Sequence, residues 1–323
     1  MKAIRIHEDG GPEVLRYEDA PDPEPGPEDV LIRLCAASLN HLDVWVRKGL
    51  PSAPKPRILG ADGAGTVEAA ANGFEAGQRV VINPGVIDKG RMHVVGEAMD
   101  GTHAELVAIP ARNVYPIPAQ LSFEEAAAFP LVFETAYRML VTKAALKEGE
   151  TVFVWGVGGG VASAALVLAK ALGARVVVTS SSEQKLARAC ELGADETIDH
   201  ASEDVRARMK ELGNADIVVE TVGESTWKTS LEVARQGGRI VVCGATTGPN
   251  PPAGLHRIWW KELAVLGSTM GSKEDFEACL ELVASGRARP VIDEVFPLSE
   301  ARAAHERLEA GEQLGKIVFR IPE

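Results

Sequence analysis

Cysteine is scarce in this sequence. The 323 residues contain four cysteines, which lie far apart: Cys35, Cys190, Cys243 and Cys279. No two of them form a Cys-x-x-Cys pair, so the usual spacing of a structural zinc site is missing, and so is a disulfide framework. This usage fits a reducing compartment, and we therefore expect a cytoplasmic protein.

Long apolar runs and an excess of positive charge are also lacking. Charges such as Lys170 and Arg175 interrupt the most apolar stretches, so no run reaches the ~18 residues of a membrane-spanning helix. The opening residues, MKAIRIHEDGG, have no apolar core of a secretory signal. With 34 Lys and Arg against 46 Asp and Glu, the net charge of −12 does not favour nucleic acid as a partner. What is present, 46% hydrophobic and 25% charged residues, indicates a globular protein, and the length predicts two domains.

The first part of the chain has the pattern of strands. Val30, Ile32 and Leu34 alternate with their neighbours as in a half-buried strand. The proline-dense residues 21–27 before them exclude a helix or a central strand. Further short apolar runs, separated by glycine and proline, lie at residues 65–70, 78–82 and 104–109. We therefore expect a compact β-rich domain over residues 1–118.

The pattern changes near residue 122. Ser122-Phe-Glu-Glu125 is a capping box, and it predicts a helix to about residue 143 that can break at Pro130. Apolar, β-branched runs then alternate with helical patterns, at residues 151–155, 175–179, 196–198, 216–220, 239–243 and 263–268. Such alternation predicts a parallel sheet covered on both faces, in a second domain over residues 119–287. The tail, residues 288–323, reads strand–helix–strand, and we expect it to rejoin the first domain.

A glycine-rich turn follows the first strand of the second domain. Residues 151–155 run directly into Gly156-Val-Gly158-Gly159-Gly160-Val161-Ala162, and a helical pattern comes next. Glycines at such a turn let a diphosphate approach the backbone, while the helix N-terminus donates amides to it. The alternative is a plain strand–helix turn. The spacing departs from Gly-x-Gly-x-x-Gly, because Val161 takes the last position. It fits a Gly-x-x-Gly-x-x-Ala pattern formed by Gly156, Gly159 and Ala162. We predict that Gly156, Gly158, Gly159, Gly160 and Val161 bind a dinucleotide.

The end of the second strand of this domain indicates which dinucleotide is bound. An NAD site places Asp or Glu there to bond the ribose hydroxyls, whereas this sequence has Ser180. Ser180 and Ser181, with Lys185 close behind, are suited to a 2′-phosphate, so NADP(H) is predicted. The alternatives are that Ser181-x-x-Gln184 is only a capping box and that Lys185 is a solvated helix residue.

Several segments together resemble the medium-chain dehydrogenase/reductase family, in particular its quinone oxidoreductase-like branch. The matching segments lie at residues 10–15, 25–31, 36–40, 40–43, 47–49, 156–162, 171–174, 192–195 and 315–318. The resemblance spans essentially the whole chain. It implies an α/β protein with a GroES-like β-rich catalytic domain and a Rossmann domain with a doubly wound parallel sheet. It also implies a C-terminal return to the first domain and an active-site cleft between the domains.

This family includes zinc alcohol dehydrogenases, whose metal ligands are replaced here. Asn40 stands at the position of the first Cys, and Leu42 at that of the hydroxyl residue that relays the proton. Gly60-Ala61-Asp62 replaces Gly-His-Glu, and the last Cys falls near Leu131. Residues 83–101, where the structural zinc lobe would lie, contain no cysteine. Because catalytic zinc needs about three N, S or O ligands, we expect no zinc at either site.

Other groupings of possible metal ligands are weaker. A site made of His41, Asp43 and Cys35 is an alternative, but Cys35 lies on the alternating strand, where we expect a small buried residue. His93 and His103 flank a glycine-bearing loop, and we expect both at the surface.

Without a Lewis acid, the feasible reaction is hydride transfer from NADPH to an electron-poor acceptor, a quinone or another α,β-unsaturated carbonyl. We predict that Asn40 orients or polarises the acceptor and that Asp43 supports it; the alternative is that both merely cap a helix. Trp45 stands where several relatives have Tyr, which leaves the proton donor open. The resemblance further implies that Thr135 lies near the nicotinamide, His200 against the adenine and Gly244 at the ligand-binding edge of the sheet, and these three complete the predicted cofactor-binding residues.

Other functions and the oligomeric state remain open on the sequence. One alternative is an alcohol or aldehyde dehydrogenase that works by an unusual zinc-free route, and another is a non-catalytic NADPH-binding protein. Bulky apolar residues at 258–261 and 263–268 lie near a predicted sheet edge. Exposed edges invite pairing, so we expect a homodimer; the alternative is that both tryptophans pack on their own domain.

Overall fold

The structure, a computed structural model, describes residues 1–322, and of Asp88 it describes the backbone alone. The chain divides into two compact units. The first consists of Met1–Leu131 and the segment from Pro290 onward, and the second of Val132–Arg289. The first unit therefore extends beyond residue 118 and includes the helix that follows Ser122.

Strands occur in both units. Within residues 1–322 they are β1 (Lys2–Ile6), β2 (Arg16–Asp19), β3 (Asp29–Ser38), β4 (Arg57–Ile58), β5 (Asp62–Val67), β6 (Arg79–Ile82), β7 (Gly85–Asp88), β8 (Arg91–Val94), β9 (Leu106–Pro110), β10 (Val114–Pro116), β11 (Thr151–Val154), β12 (Arg175–Ser180), β13 (Glu196–Asp199), β14 (Ala215–Glu220), β15 (Ala234–Val242), β16 (Ala264–Gly267), β17 (Ile292–Pro297) and β18 (Lys316–Arg320).

Most helices lie in the second unit or at its boundaries. Over the same residues they are α1 (His41–Arg47), α2 (Phe123–Ala128), α3 (Pro130–Tyr137), α4 (Gly160–Ala171), α5 (Glu183–Glu191), α6 (Val205–Glu211), α7 (Glu224–Val233), α8 (Leu255–Trp260), α9 (Lys273–Ala284) and α10 (Ala301–Glu309). The helix expected up to residue 143 is broken before Pro130, as α2 and α3, and ends in a π-helical stretch, Arg138–Lys143. In this part of the chain no helix is both long and apolar enough to cross a membrane.

The first unit is built around a seven-stranded sheet. Its order is β10-β6-β5-β3-β18-β17, and β9 also pairs with β3. Val30, Ile32 and Leu34 of β3 are buried in its core, which confirms the alternation expected there. The tail joins this sheet: β18 pairs antiparallel with β3 and parallel with β17. A three-stranded sheet, β2-β1-β4, and a hairpin of β7 and β8 complete the unit.

A bulge at Cys35 bends β3 before it reaches the site. In the pairing with β5, Leu34 lies opposite Gly65 and Ala36 opposite Ala64, so Cys35 is the extra residue. A Cβ on Gly65 would lie 2.0 Å from the carbonyl oxygen of Arg33, so only glycine allows this close approach. Cys35 is half-buried rather than fully buried as expected, because the bulge takes it out of the regular alternation.

The second unit is a parallel sheet with helices between its strands. The order is β13-β12-β11-β14-β15-β16, and all five pairings are parallel. The chain enters the sheet at its centre with β11 and adds β12 and β13 on one side. It then adds β14, β15 and β16 on the other side. The order therefore reverses between β11 and β14, where open sheets of this kind bind their ligands. The expected α/β fold class is confirmed.

Candidate functional site

Four polar side chains are buried together where β3 ends and α1 begins. Asn40 precedes α1, Asp43 lies in its first turn, Asp62 is the first residue of β5 and Lys316 the first of β18. Each is at most 5% exposed. We call these four residues the buried polar cluster. A buried polar group costs free energy unless it is hydrogen-bonded, so the hydrogen bonds within the cluster determine its chemistry.

The Asp62 carboxylate is the acceptor at the centre of the buried polar cluster. Its Oδ2 accepts from Asn40 Nδ2 at 2.9 Å and from Lys316 Nζ at 3.0 Å. The Ser38 hydroxyl donates to the same oxygen at 3.0 Å. The backbone N–H of Leu131 donates to Oδ1 at 2.9 Å. Four donors, one of them an ammonium, therefore hold this buried negative charge.

The Asn40 side chain is fixed by two charged members of the buried polar cluster, Asp62 and Lys316. Its Oδ1 accepts a hydrogen bond from the Lys316 ammonium. An ammonium only donates, so the amide must present its oxygen to Lys316 and its nitrogen to Asp62. Asn40 and Asp43 also form a capping box at the start of α1, so the capping alternative is confirmed, while their role toward a substrate stays a prediction.

Asp43 supports this arrangement through the backbone. Its carboxylate accepts from the N–H of Asn40 at 2.8 Å and from the N–H of Gly60 at 2.9 Å. Gly60 has a φ of +100°, so the turn that leads into Asp62 depends on glycine. Burial raises the pKa of the Asp43 carboxyl, against the nearby His103 and the two backbone N–H groups.

His103 is buried, so the expectation that it lies at the surface is wrong. Residues 101–103 are held against residues 58–60 by three backbone hydrogen bonds of 2.9 Å, which cover the imidazole. The ring meets Phe319 edge to face at 4.8 Å between centroids. Burial lowers the pKa of this imidazole. His93 is half-buried, whereas His41 is exposed at the start of α1.

The residues of the first unit do not fit a zinc ion. Ala61 and Leu131 are buried and carry no ligand atom. The oxygens of Asn40 and Asp62 already accept from the Lys316 ammonium, whose charge would repel a metal ion at the same place. Throughout the part of the chain that the structure describes, no three His, Cys, Asp or Glu side chains form a group that could hold a metal, His41, Asp43 and Cys35 included.

The glycine turn of the second unit is shaped to hold an anion. Gly156 has a φ of +58°, and a Cβ there would meet nothing within 4 Å, so its open side can receive a ligand. Its N–H donates to Thr179 Oγ1 at 3.1 Å, which ties the turn to β12. Gly159 is the N-cap residue of α4 and has no side chain. The first backbone amides of the helix, from Gly160 and Val161, therefore donate to no capping side chain. This backbone fits the diphosphate of a dinucleotide.

Ser180 ends β12 and is buried, and its Oγ accepts from the N–H of Ser182 at 3.1 Å. The cap of α5 is Ser182, which accepts from the N–H of Lys185, so the alternative of a capping box at Ser181 and Gln184 is off by one residue. Ser181 is left exposed, and Lys185 is half-buried in the first helical turn.

The remaining predicted cofactor residues are placed as follows. The N–H of His200 donates to the carbonyl of Ser180 at 3.1 Å, and the His200 side chain is exposed beyond β13. Gly244 follows β15, and a Cβ there would lie 3.2 Å from the carbonyl oxygen of Thr221. The turn is thus tied to Thr179, and His200 to the neighbouring Ser180. Thr135 is buried in α3, and none of the described hydrogen bonds joins it to the turn.

Sequence reasoning did not assign a role to Asp62 or Lys316. The signal for Lys316 was a lysine directly before the apolar residues Ile317, Val318 and Phe319. The signal for Asp62 was its place in the segment that replaces Gly-His-Glu. The two residues are 254 positions apart, so only the folded sheet shows that they pair.

A β-rich unit followed by a doubly wound parallel sheet with a glycine turn defines a two-domain dehydrogenase or reductase. The family model of the alcohol dehydrogenase GroES-like domain matches residues 26–119, and that of the zinc-binding dehydrogenase matches residues 160–285. The quinone oxidoreductase of Pseudomonas aeruginosa is 35% identical over 98% of this chain and 99% of its own.

Solved structures agree with this fold. An NAD-dependent alcohol dehydrogenase is 42% identical, with a TM-score of 0.96 over 100% of both chains. The 2-octenoyl-CoA carboxylase reductase CinF, solved with NADP and 2-octenoyl-CoA, is 29% identical, with a TM-score of 0.89 over 97% of this chain and 83% of its own. The chain belongs to the medium-chain dehydrogenase/reductase family, in its quinone oxidoreductase-like branch, and it is an oxidoreductase.

Proposed function

We propose that this protein transfers a hydride from NADPH to a quinone or another α,β-unsaturated carbonyl without a metal. One observation carries the proposal: Asn40, at a position where zinc-dependent relatives have a metal ligand, is hydrogen-bonded to a buried ammonium. Oxidation of a simple alcohol needs a stabilised alkoxide, which a Lewis acid would supply. An electron-poor acceptor does not need that help. The similarity to a quinone oxidoreductase supports the same substrate class.

The residues of the chain would bind and orient the reactants. NADPH, when bound, supplies the hydride. Among the described hydrogen bonds, the Asn40 amide uses one of its two N–H groups, on Asp62, and the other can donate to the acceptor oxygen. That oxygen gains negative charge as the hydride arrives, so the bond strengthens toward the transition state. Asp43 holds the Asn40 backbone in place.

The second unit would bind NADP(H). The amides after Gly159 receive the diphosphate, beside Gly156, Gly158, Gly160 and Val161. Ser180, Ser181 and Lys185 take the 2′-phosphate, and His200 lies against the adenine. Thr135 lies near the nicotinamide, and Gly244 lies at the ligand-binding edge of the sheet. NADP in the similar CinF structure supports this cofactor.

An alcohol dehydrogenase is the second candidate. The observation in its favour is the 42% identity, over the full chain, to a protein described as an NAD-dependent alcohol dehydrogenase. It differs from the first proposal in both the cofactor and the substrate, so kinetics can separate the two.

We also propose a homodimer in the cytoplasm. None of the four cysteines forms a disulfide, which fits a reducing compartment. Trp259 and Trp260 are 64% and 71% exposed and contact each other edge to face, rather than packing into the unit. They precede β16, the edge strand of the parallel sheet. A second copy of the chain would cover both.

An acceptor panel tests the proposed function. Oxidation of NADPH is followed at 340 nm with benzoquinone, naphthoquinone and a cyclic enone, and reduction of NADP⁺ and NAD⁺ is followed with simple primary and secondary alcohols. We expect turnover with quinones or enones and none with alcohols. Alcohol oxidation with inert quinones would establish the second candidate instead. Tight NADPH binding without any turnover would indicate a binding protein.

A further inference from the structure

The buried ammonium of Lys316 is held at a fixed place in the first unit. Its side chain is 3% exposed, and its backbone N–H donates to the carbonyl of Val291 at 2.8 Å. Gly315 before it has a φ of +97°, and a Cβ there would lie 2.3 Å from the same carbonyl oxygen. Only glycine permits this approach, so the chain enters β18 in one conformation.

This ammonium contacts two groups, and both belong to the proposed site. It donates to Asp62 Oδ2 at 3.0 Å and to Asn40 Oδ1. A buried charge needs a partner, and Asp62 supplies it. The bond to Asn40 is not needed for charge balance, because the carboxamide is neutral. It is therefore the contact that requires a functional explanation.

We propose that Lys316 is the positioning residue of the site and takes the electrostatic place that a metal ion holds in the zinc-dependent members. Its ammonium fixes the Asn40 oxygen, while Asp62 fixes one amide N–H. These two contacts set the plane of the carboxamide and leave its second N–H for the acceptor. The Lys316 ammonium at the Asn40 oxygen also polarises the carboxamide, which makes its second N–H a stronger donor. This inference rests on the proposed function only for the identity of the acceptor.

Removal of Lys316 alone is a poor test, because it leaves Asp62 buried without its counter-charge. The double variant Lys316→Met with Asp62→Asn removes both charges and keeps the shape of the cluster. We expect it to fold, to melt close to the wild type and to bind NADPH with unchanged affinity. We expect its kcat with a quinone to fall about tenfold or more, because the Asn40 donor is no longer held.

Three results make the outcome clear. Lys147→Met, which removes an exposed charge, should leave kcat unchanged. In an Asn40→Ala background the double change should have little further effect on kcat, because Lys316 acts through Asn40. If the double variant folds and turns over like the wild type, Lys316 only balances Asp62 and the proposal is wrong.

A spectroscopic measurement separates this inference from the proposed function. The side-chain amide signal of Asn40 is identified by its absence from the Asn40→Ala spectrum. In the wild type we expect one of its two protons to exchange slowly, because it is bonded to the Asp62 carboxylate. We expect this protection to weaken in the double variant, which loses both the carboxylate charge and the ammonium that fixes the amide. Equal, fast exchange of both protons in the wild type would overturn the positioning role, whatever acceptor the enzyme uses.

Discussion

Ser180 is the residue that we propose distinguishes the two nicotinamide cofactors. It ends β12, where a carboxylate would bond the ribose hydroxyls of NAD. The neighbouring strand places Asp199 in register with it, but the oxygens of Asp199 are engaged by Ala201 N–H and by the Ser202 hydroxyl. A preference for NADP(H) therefore depends on the absence of a free carboxylate at Ser180.

Ser180→Asp should weaken NADPH binding about tenfold or more, about 1.4 kcal/mol, without weakening NADH binding. The physical reason is repulsion between the new carboxylate and the 2′-phosphate. Fluorescence titration of both cofactors measures the change. Ala187→Asp, which adds the same charge at an exposed position of α5, is the control. Equal affinity of the wild-type protein for NADPH and NADH would contradict this interpretation of Ser180.

His305 is a second residue with a measurable consequence. Its Nδ1 accepts from the buried Arg47 guanidinium at 2.9 Å, so this nitrogen carries no proton. Burial, together with the charges of His103 and Arg47, places the pKa of His305 well below its usual 6.5. A lowered pKa means that the folded protein resists protonation more than the unfolded chain does.

The stability contributed by neutral His305 is complete above the unfolded pKa, about 6.5, and is lost as the pH falls toward the folded pKa. We expect the melting temperature to fall more steeply with acid in the wild type than in His305→Asn, whose side-chain oxygen can still accept from Arg47. His256→Gln, at an exposed position, should keep the wild-type slope. Identical slopes in the wild type and His305→Asn would show that His305 does not contribute.

At the scale of elements, β16 is an open edge with apolar residues on and before it. Val265 lies on the strand and is 41% exposed, and Leu255 of α8 is 69% exposed. Unpaired strand edges favour association, and natural proteins protect them with charge or by pairing. Here the edge carries neither Lys nor Pro: its four residues are Ala264–Gly267.

A charge on this edge should separate the two chains of the proposed dimer. We expect Val265→Lys, combined with Trp260→Glu, to convert the dimer into a monomer in light scattering coupled to size exclusion. Lys228→Glu, on the exposed side of α7, should leave the mass unchanged. A wild-type protein that is monomeric at every concentration would refute the dimer.

The elements of this chain could be predicted from the sequence because their signals are local. The six β-branched runs, the glycine turn and the tail all recur close to where they were expected, since the period of apolar residues fixes each of them. The site could be predicted only in part. Asn40 and Asp43 stand in one short motif, whereas Lys316 and His103 reach the site through the fold. No local pattern shows that a lysine will be buried against an aspartate on another strand.

At the scale of the whole molecule, the net charge of −12 works against an anionic ligand. If the protein binds NADPH as proposed, we expect the affinity to come from local donors, the amides of the glycine turn and the segment from Ser180 to Lys185. The two units also have separate hydrophobic cores, one around β3 and one around β11 and β14. In the proposed reaction, the internal ammonium of Lys316 acts at the site in place of a metal ion.

The most direct test is quinone-dependent NADPH oxidation by protein that has been dialysed against a strong chelator, with zinc quantified by elemental analysis in the same sample. We predict far less than one zinc per chain and an unchanged rate, which added zinc does not raise. One or two zinc ions per chain, with a rate that is lost on their removal and restored on their return, would contradict the account.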